Sequence, residues 1–259
     1  MKKILLSLLL ITFFTSGCSV MNYNYEKIVI GIDDKFAPMG FRDENGELVG
    51  FDVDLAKEAI KRMNCEVEFK PIEWDNKENE ITSGNIDMIW NGLDIIKEYE
   101  EHMIFSKPYM DNRQILMVQK GNPQNIYSAG GLAEKIVGTQ AGSNSEIYVN
   151  ANEGLKNSFK EFRTYPNIKD GFAALEKGEF DALIIDEIAA RYEMTINSNT
   201  FDIVETTIGP VTKFGIGFPK DKVKLRDRVQ KVFDEMVKDG TAREISEKWF
   251  QADLIKVTR

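Results

Sequence analysis

Short apolar runs alternate with amphipathic helical patterns along almost the whole chain. The apolar runs cover residues 28–32, 86–90, 135–140, 181–186 and 213–218. Strands that are separated by helices pair in parallel, because each helix crosses the sheet before the next strand begins. The alternation restarts near Lys135, after a loop at 121–131 that contains three glycines. We therefore predict an α/β fold of two lobes, each a mixed, mostly parallel sheet flanked by helices.

The helical pattern that begins near Asp52 has a clear apolar face. Val53, Ala56, Ile60 and Met63 recur at helical spacing. Asp52 precedes this face, and we predict that its side chain caps the helix.

The charge balance and the scarcity of histidine and cysteine exclude several classes of protein. The chain has 33 Lys and Arg against 42 Asp and Glu, a net charge of −9. Such a surface repels a phosphate backbone, so we predict no nucleic-acid partner. The one histidine is His102, and the two cysteines are Cys18 and Cys65, which leaves no catalytic triad unless His102 is its base. We predict no metal and no cofactor.

The first eighteen residues resemble a bacterial lipoprotein signal. Lys2 and Lys3 precede an apolar run at 4–14, which is too short to span a bilayer. Small residues then lead to Cys18, so we predict a signal peptide at 1–17, lipidation of Cys18 and a tether at 18–26. The alternative is an ordinary secretory signal in which Cys18 has no role. Either interpretation predicts export to the periplasm or cell surface, and the first adds a lipid anchor in the membrane.

Polar and aromatic residues follow four of the predicted strands. In α/β sheets, ligands bind at the carboxyl ends of the strands. The residues that we place there are Asp33, Phe36, Asn91, Gly92, Asp94, Gln140, Ser143, Asn144, Ser145 and Asp186. The helix start at 143–145 suits a carboxylate, whereas Asp186 offers a countercharge for an ammonium group. Each residue alone is commonly a helix cap, so it is their convergence that indicates a small-molecule site.

Several segments resemble the extracellular solute-binding proteins of ABC importers for polar amino acids (family 3). The segments that carry the resemblance are GFDVDLAKE at 50–58, IDMIWNGLDI at 86–95, FSKPYM at 105–110, VGTQAGSNSE at 137–146 and KWF at 248–250. The likeness extends over essentially the whole chain after the signal. The residue patterns at 86–95 and 105–110 are most similar to the cystine and sulfur-amino-acid branch.

The resemblance implies two lobes that close on a ligand like a clamp. The lobes would comprise residues 27–110 with 212–259, and residues 111–211, joined by strands near 109–113 and 209–213. It also implies delivery of a small polar molecule, an amino acid or an amine, to the permease and ATPase subunits of an ABC importer.

By the same resemblance, residues of both lobes contact the ligand. The first lobe would contribute Asp33, Phe36, Trp74 and Gly92. The second lobe would contribute Gln140, Ser143, Asn144 and Asp186, of which Asp186 would hold the α-ammonium group.

One departure from the family pattern concerns the ligand's carboxylate. Family members read G-x-T-x-T-x-x-R where this chain reads GLDIIKEY at 92–99. The arginine that grips the α-carboxylate falls on Tyr99, and the first threonine falls on Asp94. Removing one partner of a buried charge pair costs about 3–5 kcal/mol, which corresponds to roughly 10²–10³ in affinity. An ordinary α-amino acid should therefore bind poorly unless another cation replaces the arginine.

Two ligand hypotheses follow, and the sequence leaves both open. In the first, Asp33, Asp94 and Asp186 select an amine or a cationic derivative that lacks a free α-carboxylate, aided by the aromatic residues. In the second, the ligand is a polar amino acid whose carboxylate is held by the helix start at 143–145, by Lys97 or by Arg113. A third interpretation gives Asp94 a capping role and Tyr99 a packing role.

Two other classes of function use the same fold. Some relatives of the family are dehydratases, which would need an acid such as Glu187 or Asp94 with a raised pKa. A ligand-sensing surface protein is the other alternative. We predict a binding protein and not an enzyme, because the predicted site lacks a cation for the carboxylates of a dehydratase substrate.

Overall fold

The computed structural model describes residues 27–256, so the predicted signal, Cys18 and the tether lie outside the described residues. Within this range the strands are β1 (Lys27–Ile32), β2 (Lys35–Phe36), β3 (Gly40–Arg42), β4 (Leu48–Val49), β5 (Glu66–Pro71), β6 (Met88–Asp94), β7 (Met103–Phe105), β8 (Met110–Gln119), β9 (Ile136–Gln140), β10 (Glu161–Tyr165), β11 (Ala182–Asp186) and β12 (Phe201–Pro219). The helices are α1 (Phe51–Arg62), α2 (Lys77–Thr82), α3 (Lys97–Glu100), α4 (Asn144–Ala151), α5 (Glu153–Ser158), α6 (Ile168–Glu176), α7 (Glu187–Ile196), α8 (Val223–Asp239) and α9 (Thr241–Phe250).

Each lobe has its own parallel strands, as the alternating pattern predicts. In the first lobe, β1 pairs in parallel with β5 and β6, while α1, α8 and α9 pack against one another beside the sheet. In the second lobe, β9 pairs in parallel with β10 and β11, beside α4 and α6. The predicted α/β class with mostly parallel sheets and flanking helices is confirmed.

Two long strands run through both lobes. β8 pairs antiparallel with β11, β12 pairs antiparallel with β6, and β8 and β12 pair with each other. This ladder joins the two sets of strands into one sheet, in the order β10-β9-β11-β8-β12-β6-β1-β5. Its register shifts between Val204 and Ile208 and again between Ile208 and Thr212. Such irregularities let a strand bend, and they overlap the region in which the sequence predicts the second hinge.

Helix α1 starts differently from the sequence prediction. Its N-cap is Gly50, with φ +146°, and a Cβ at this position would lie 2.3 Å from the carbonyl oxygen of Met39. Asp52 is therefore not the cap. It lies in the first turn, fully buried, and faces the strand that carries Gly92. The predicted apolar face is buried, since Val53, Ala56 and Ile60 have no exposed surface.

Among the described residues, no helix combines the length and apolarity that crossing a bilayer requires.

Candidate functional site

A small cavity lies where the two lobes meet. It is lined by Asp33, Phe36, Trp74, Gly92, Asp94, Tyr99, Gln140, Ser143, Asn144 and Asp186. The first six come from the first lobe and the last four from the second. Asp33 follows β1, Gly92 and Asp94 end β6, Gln140 ends β9 and Asp186 ends β11, so the cavity occupies the carboxyl ends of parallel strands.

Two residues of the predicted site lie behind the cavity wall. Asn91 points away from the cavity because successive strand residues face opposite sides of a sheet, and its Oδ1 accepts a hydrogen bond from the Asp33 N–H at 2.8 Å. Ser145 is buried, and its hydroxyl donates to Gln114 Oε1 at 2.5 Å. Asn91 therefore supports the backbone of Asp33 and Ser145 supports the side chain of Gln114, and neither lines the cavity.

Two carboxyl groups, one from each lobe, accept hydrogen bonds from the same residue of β8. The amide nitrogen of Asn112 donates to Oδ1 of Asp94 at 3.0 Å and also to Oδ1 of Asp186. Thr212 of β12 donates to the same Asp94 oxygen at 2.5 Å, and Gln114 donates to the same Asp186 oxygen at 2.6 Å. Asn144 also hydrogen-bonds to the Asp94 carboxyl, and both carboxyls line the cavity.

The environment of these carboxyls favours a cation in the cavity. Burial, together with the charge of Asp186, raises the pKa of Asp94 to about 7. Burial also raises the pKa of Asp186 and that of Asp33. A group whose charged form is destabilised by desolvation and by a like charge gains most when a cation arrives.

Three aromatic side chains form another part of the cavity wall, and a lysine lies behind two of them. Phe36, Trp74 and Tyr99 line the cavity, and behind the last two lies Lys77, whose side chain is only 1% exposed. The Lys77 Nζ lies 4.4 Å from the centre of the Tyr99 ring and 5.1 Å from that of Trp74. Burial lowers the pKa of Lys77 to about 8. Lys77 does not line the cavity itself, and the sequence analysis missed it.

Direct contacts hold the two lobes together at Gly142, in the loop before α4. The Gly142 carbonyl oxygen accepts hydrogen bonds from the Tyr99 hydroxyl at 2.8 Å and from Lys77 Nζ at 2.7 Å. Beside this contact, Gln140 Nε2 donates to Asp33 Oδ2 at 2.8 Å. The structure is therefore that of a closed clamp.

The groups proposed from sequence as substitutes for the arginine are engaged elsewhere. Arg113 Nε and Nη2 bind the carboxylate of Glu187 at 2.6 and 2.7 Å, and Lys97 is exposed. At the start of α4, Ser143 Oγ accepts from the Glu146 N–H, and the Glu146 carboxylate accepts from the Gly142 N–H. Neither Arg113 nor Lys97 lines the cavity. The interpretation of Asp94 as a helix cap is also wrong, since α3 follows Ile96 without a side-chain cap.

Asp52 supports the cavity from below. Its Oδ2 accepts from the Gly92 N–H at 2.6 Å and its Oδ1 accepts from the Tyr109 hydroxyl at 3.0 Å. Burial raises the pKa of Asp52 to about 7, although these hydrogen bonds partly oppose the shift. The neutral acid is therefore favoured in the folded protein.

We expect the free energy of unfolding to fall more steeply with pH in the native sequence than in Asp52→Asn. The pKa of Asp52 is about 7 when folded and 3.8 in the reference state, so its stabilising effect is complete below about pH 4 and is lost as pH rises through 7. Urea unfolding between about pH 5 and pH 8 measures the two slopes. Glu235→Gln, on the exposed face of α8, is the control. Equal slopes in Asp52→Asn and the native sequence would contradict the assignment.

Comparisons with known proteins agree with this architecture. The family model of bacterial extracellular solute-binding proteins, family 3, matches residues 28–252. The L-cystine-binding protein TcyJ of Escherichia coli (strain K12) is 31% identical over 232 residues, which are 88% of this chain and 84% of that protein. A substrate-binding protein of an ABC uptake transporter from Streptococcus pneumoniae, solved with bound histidine, superposes with a TM-score of 0.85 at 34% identity, over 90% of this chain and 95% of that one.

A further solved structure bears on the enzyme alternative. The ancestral amino-acid-binding protein AncCDT-1, described as a precursor of cyclohexadienyl dehydratase, has a TM-score of 0.79 at 30% identity, over 87% of this chain and 96% of that one. The family model and these relatives cover nearly all of the described residues. The chain therefore belongs to the bacterial extracellular solute-binding proteins of family 3.

Proposed function

We propose that this protein captures an amine-bearing solute of amino-acid size outside the cell and delivers it to the permease and ATPase subunits of an ABC importer. TcyJ binds L-cystine, and the Streptococcus pneumoniae protein was solved with histidine, so the relatives bind solutes of this size. In this proposal the signal at 1–17 exports the chain, and lipidation of Cys18 anchors it to the membrane.

The observation that carries the proposal is the composition of the interlobe cavity. Three carboxyls, those of Asp33, Asp94 and Asp186, share it with three aromatic rings. Carboxylates attract an ammonium group directly, and the faces of aromatic rings attract it through their quadrupole. Among the described residues that line the cavity, none is basic.

Closure of the two lobes links binding to transport. A ligand that contacts both lobes stabilises the closed state by its differential affinity for that state. To take a clamp from 1% to 99% closed, the ligand must supply about 5.5 kcal/mol. We propose that the lobes are residues 27–110 with 212–259 and residues 111–211, and that they turn about β8 and β12. The register shifts of the β8–β12 ladder support this placement of the hinge.

The enzyme alternative is less well supported. A dehydratase needs an acid that holds a proton near neutral pH. Arg113 and Arg191 both bind the Glu187 carboxylate and lower the pKa of Glu187 to about 2, so Glu187 does not fit that role. Asp94 has a suitable pKa, but the substrate's own carboxylates would face three acidic side chains and no lining cation.

We expect the purified protein to be stabilised by amines in a thermal-shift screen of amines and amino acids. A ligand at one hundred times its dissociation constant adds about 2.7 kcal/mol, which raises the melting temperature of a protein of this size by roughly 5–10 °C. Asp186→Asn should reduce the shift, because it removes a carboxylate from the cavity, whereas Glu235→Gln should not. If no amine and no amino acid stabilises the protein, the proposed function is wrong.

A further inference from the structure

We infer that the solute carries two separated cationic groups and no carboxylate, as an α,ω-diamine does. This inference rests on the proposed function and names the ligand class of the same site. It follows from where the acidic groups of the cavity lie relative to one another.

The first negative position is the carboxyl pair of Asp94 and Asp186. Asn112 donates to one oxygen of each carboxyl, which holds them together at the centre of the β8–β12 ladder. Both carboxyls line the cavity. A single ammonium group has three N–H donors, so it can donate to both carboxyls at once.

The second negative position is Asp33, which also lines the cavity. Its two oxygens already accept one hydrogen bond each, and each oxygen can accept another. Its backbone N–H is bonded to Asn91 of β6, and Asp94 lies three residues further along that strand. Three strand residues span about 10 Å. Between the two positions lies Gly92, where an added Cβ would come within 2.8 Å of the Phe36 ring. The two negative positions are therefore divided by an apolar middle section, which matches the shape of a diamine.

A carboxylate on the ligand would find no cation among the described lining residues, only neutral donors such as Ser143 and Asn144. Tyr99 stands where the resemblance to the family implies an arginine, and its hydroxyl donates to Gly142 of the other lobe. The buried cation Lys77 donates to the same carbonyl and to that of Trp74. A ligand carboxylate near Tyr99 would instead meet the charges of Asp94 and Asp186.

Three ligands that differ by one group each test the inference by isothermal titration calorimetry. L-Lysine is 1,5-diaminopentane with an added carboxylate, and pentylamine is 1,5-diaminopentane without one amine. We expect 1,5-diaminopentane to bind at least tenfold more tightly than L-lysine. We also expect it to bind about tenfold to a hundredfold more tightly than pentylamine, the usual effect of one buried charged hydrogen bond.

Two variants locate the second cationic group. Asp33→Asn should abolish the preference for 1,5-diaminopentane over pentylamine, since it removes the second negative position. Asp34→Asn removes one charge from the adjacent residue, whose carboxylate pairs with Arg42 outside the cavity, and should keep the preference. Because each ratio is measured within one variant, a general loss of stability does not alter it.

The outcomes separate this inference from the proposed function. If L-lysine binds as tightly as the diamine, or pentylamine does, the inference is overturned while an amine-binding function stands. If the preference survives in Asp33→Asn, the second position is wrong. If none of the three ligands binds but another amine in the screen does, the diamine inference is also wrong. Failure of every amine and amino acid overturns the proposed function itself.

Discussion

Replacing Gly142 by alanine is expected to lower ligand affinity by about 10²–10³ while leaving the protein folded. Gly142 has φ +69°, and in the closed structure an added Cβ would lie 2.5 Å from Asp75 Cα. This contact joins backbone to backbone across the lobes, so no side-chain rotation relieves it. The lobes must separate, which breaks the hydrogen bonds that Tyr99 and Lys77 donate to Gly142. Overpacking and two lost hydrogen bonds together cost about 3–5 kcal/mol.

Gly84→Ala is the matched control for this experiment. Gly84 has φ +71°, almost the same backbone conformation, but an added Cβ there meets nothing within 4 Å. Both variants should therefore lose a similar, small amount of stability from backbone strain, and only Gly142→Ala should lose affinity. Calorimetric titration measures affinity, and thermal unfolding without ligand measures stability. If Gly142→Ala binds as well as Gly84→Ala, closure through this contact is not needed for binding.

The double variant Asp94→Thr with Tyr99→Arg is expected to bind α-amino acids about 10²–10³ more tightly than the native sequence does. The change removes a carboxylate from beside the ligand's own carboxylate and adds a guanidinium that binds it through two parallel hydrogen bonds. Binding of simple amines should weaken in the same variant, because Asp94 no longer faces the ammonium group. L-Lysine and 1,5-diaminopentane measure both effects in one titration series.

Lys77 limits the gain in affinity for α-amino acids, and two further variants serve as controls. Its Nζ lies 4.4 Å from the centre of the Tyr99 ring, so its charge opposes a guanidinium at position 99. The single variant Tyr99→Arg should gain less affinity for α-amino acids than the double variant, because Asp94 still repels the ligand carboxylate. Asp94→Thr with Tyr99→Phe removes the same carboxylate without adding a cation, and should gain little affinity for α-amino acids. If the double variant still prefers amines, positions 94 and 99 do not decide selectivity.

The alternation of strands and helices and the residues at the strand ends were the parts of this molecule that the sequence predicted well. The periodicity of apolar residues is a local property, so it can be read from the sequence. Once the strands are known, the rule that ligands bind at the carboxyl ends of parallel strands predicts where the site lies. Gly92 and Gln140 were predicted at that edge, and both line the cavity. Asn91 was also predicted there, but it does not line the cavity. The rule about strand ends identifies only a segment of the chain. Which of two neighbouring residues in that segment faces the cavity depends on the alternation of side chains along the strand.

The supporting groups of the site were harder to predict, because their roles depend on contacts distant in sequence. Lys77 lies in the charged run 75–80, which is typical of a solvated helix start, yet Tyr99 and Gly142 enclose it. Its spacing of three residues from Trp74 was the available signal, since residues three apart share a helix face. Asp52 was predicted as a cap because its partner Tyr109 lies 57 residues away.

Asn112 gives the clamp a further property. Its amide nitrogen donates to a carboxyl of each lobe, and it lies on β8, one of the two strands about which we propose that the lobes turn. A cation that binds between those carboxyls would therefore act next to the hinge that we propose, where a small rearrangement of side chains can change the angle between the lobes.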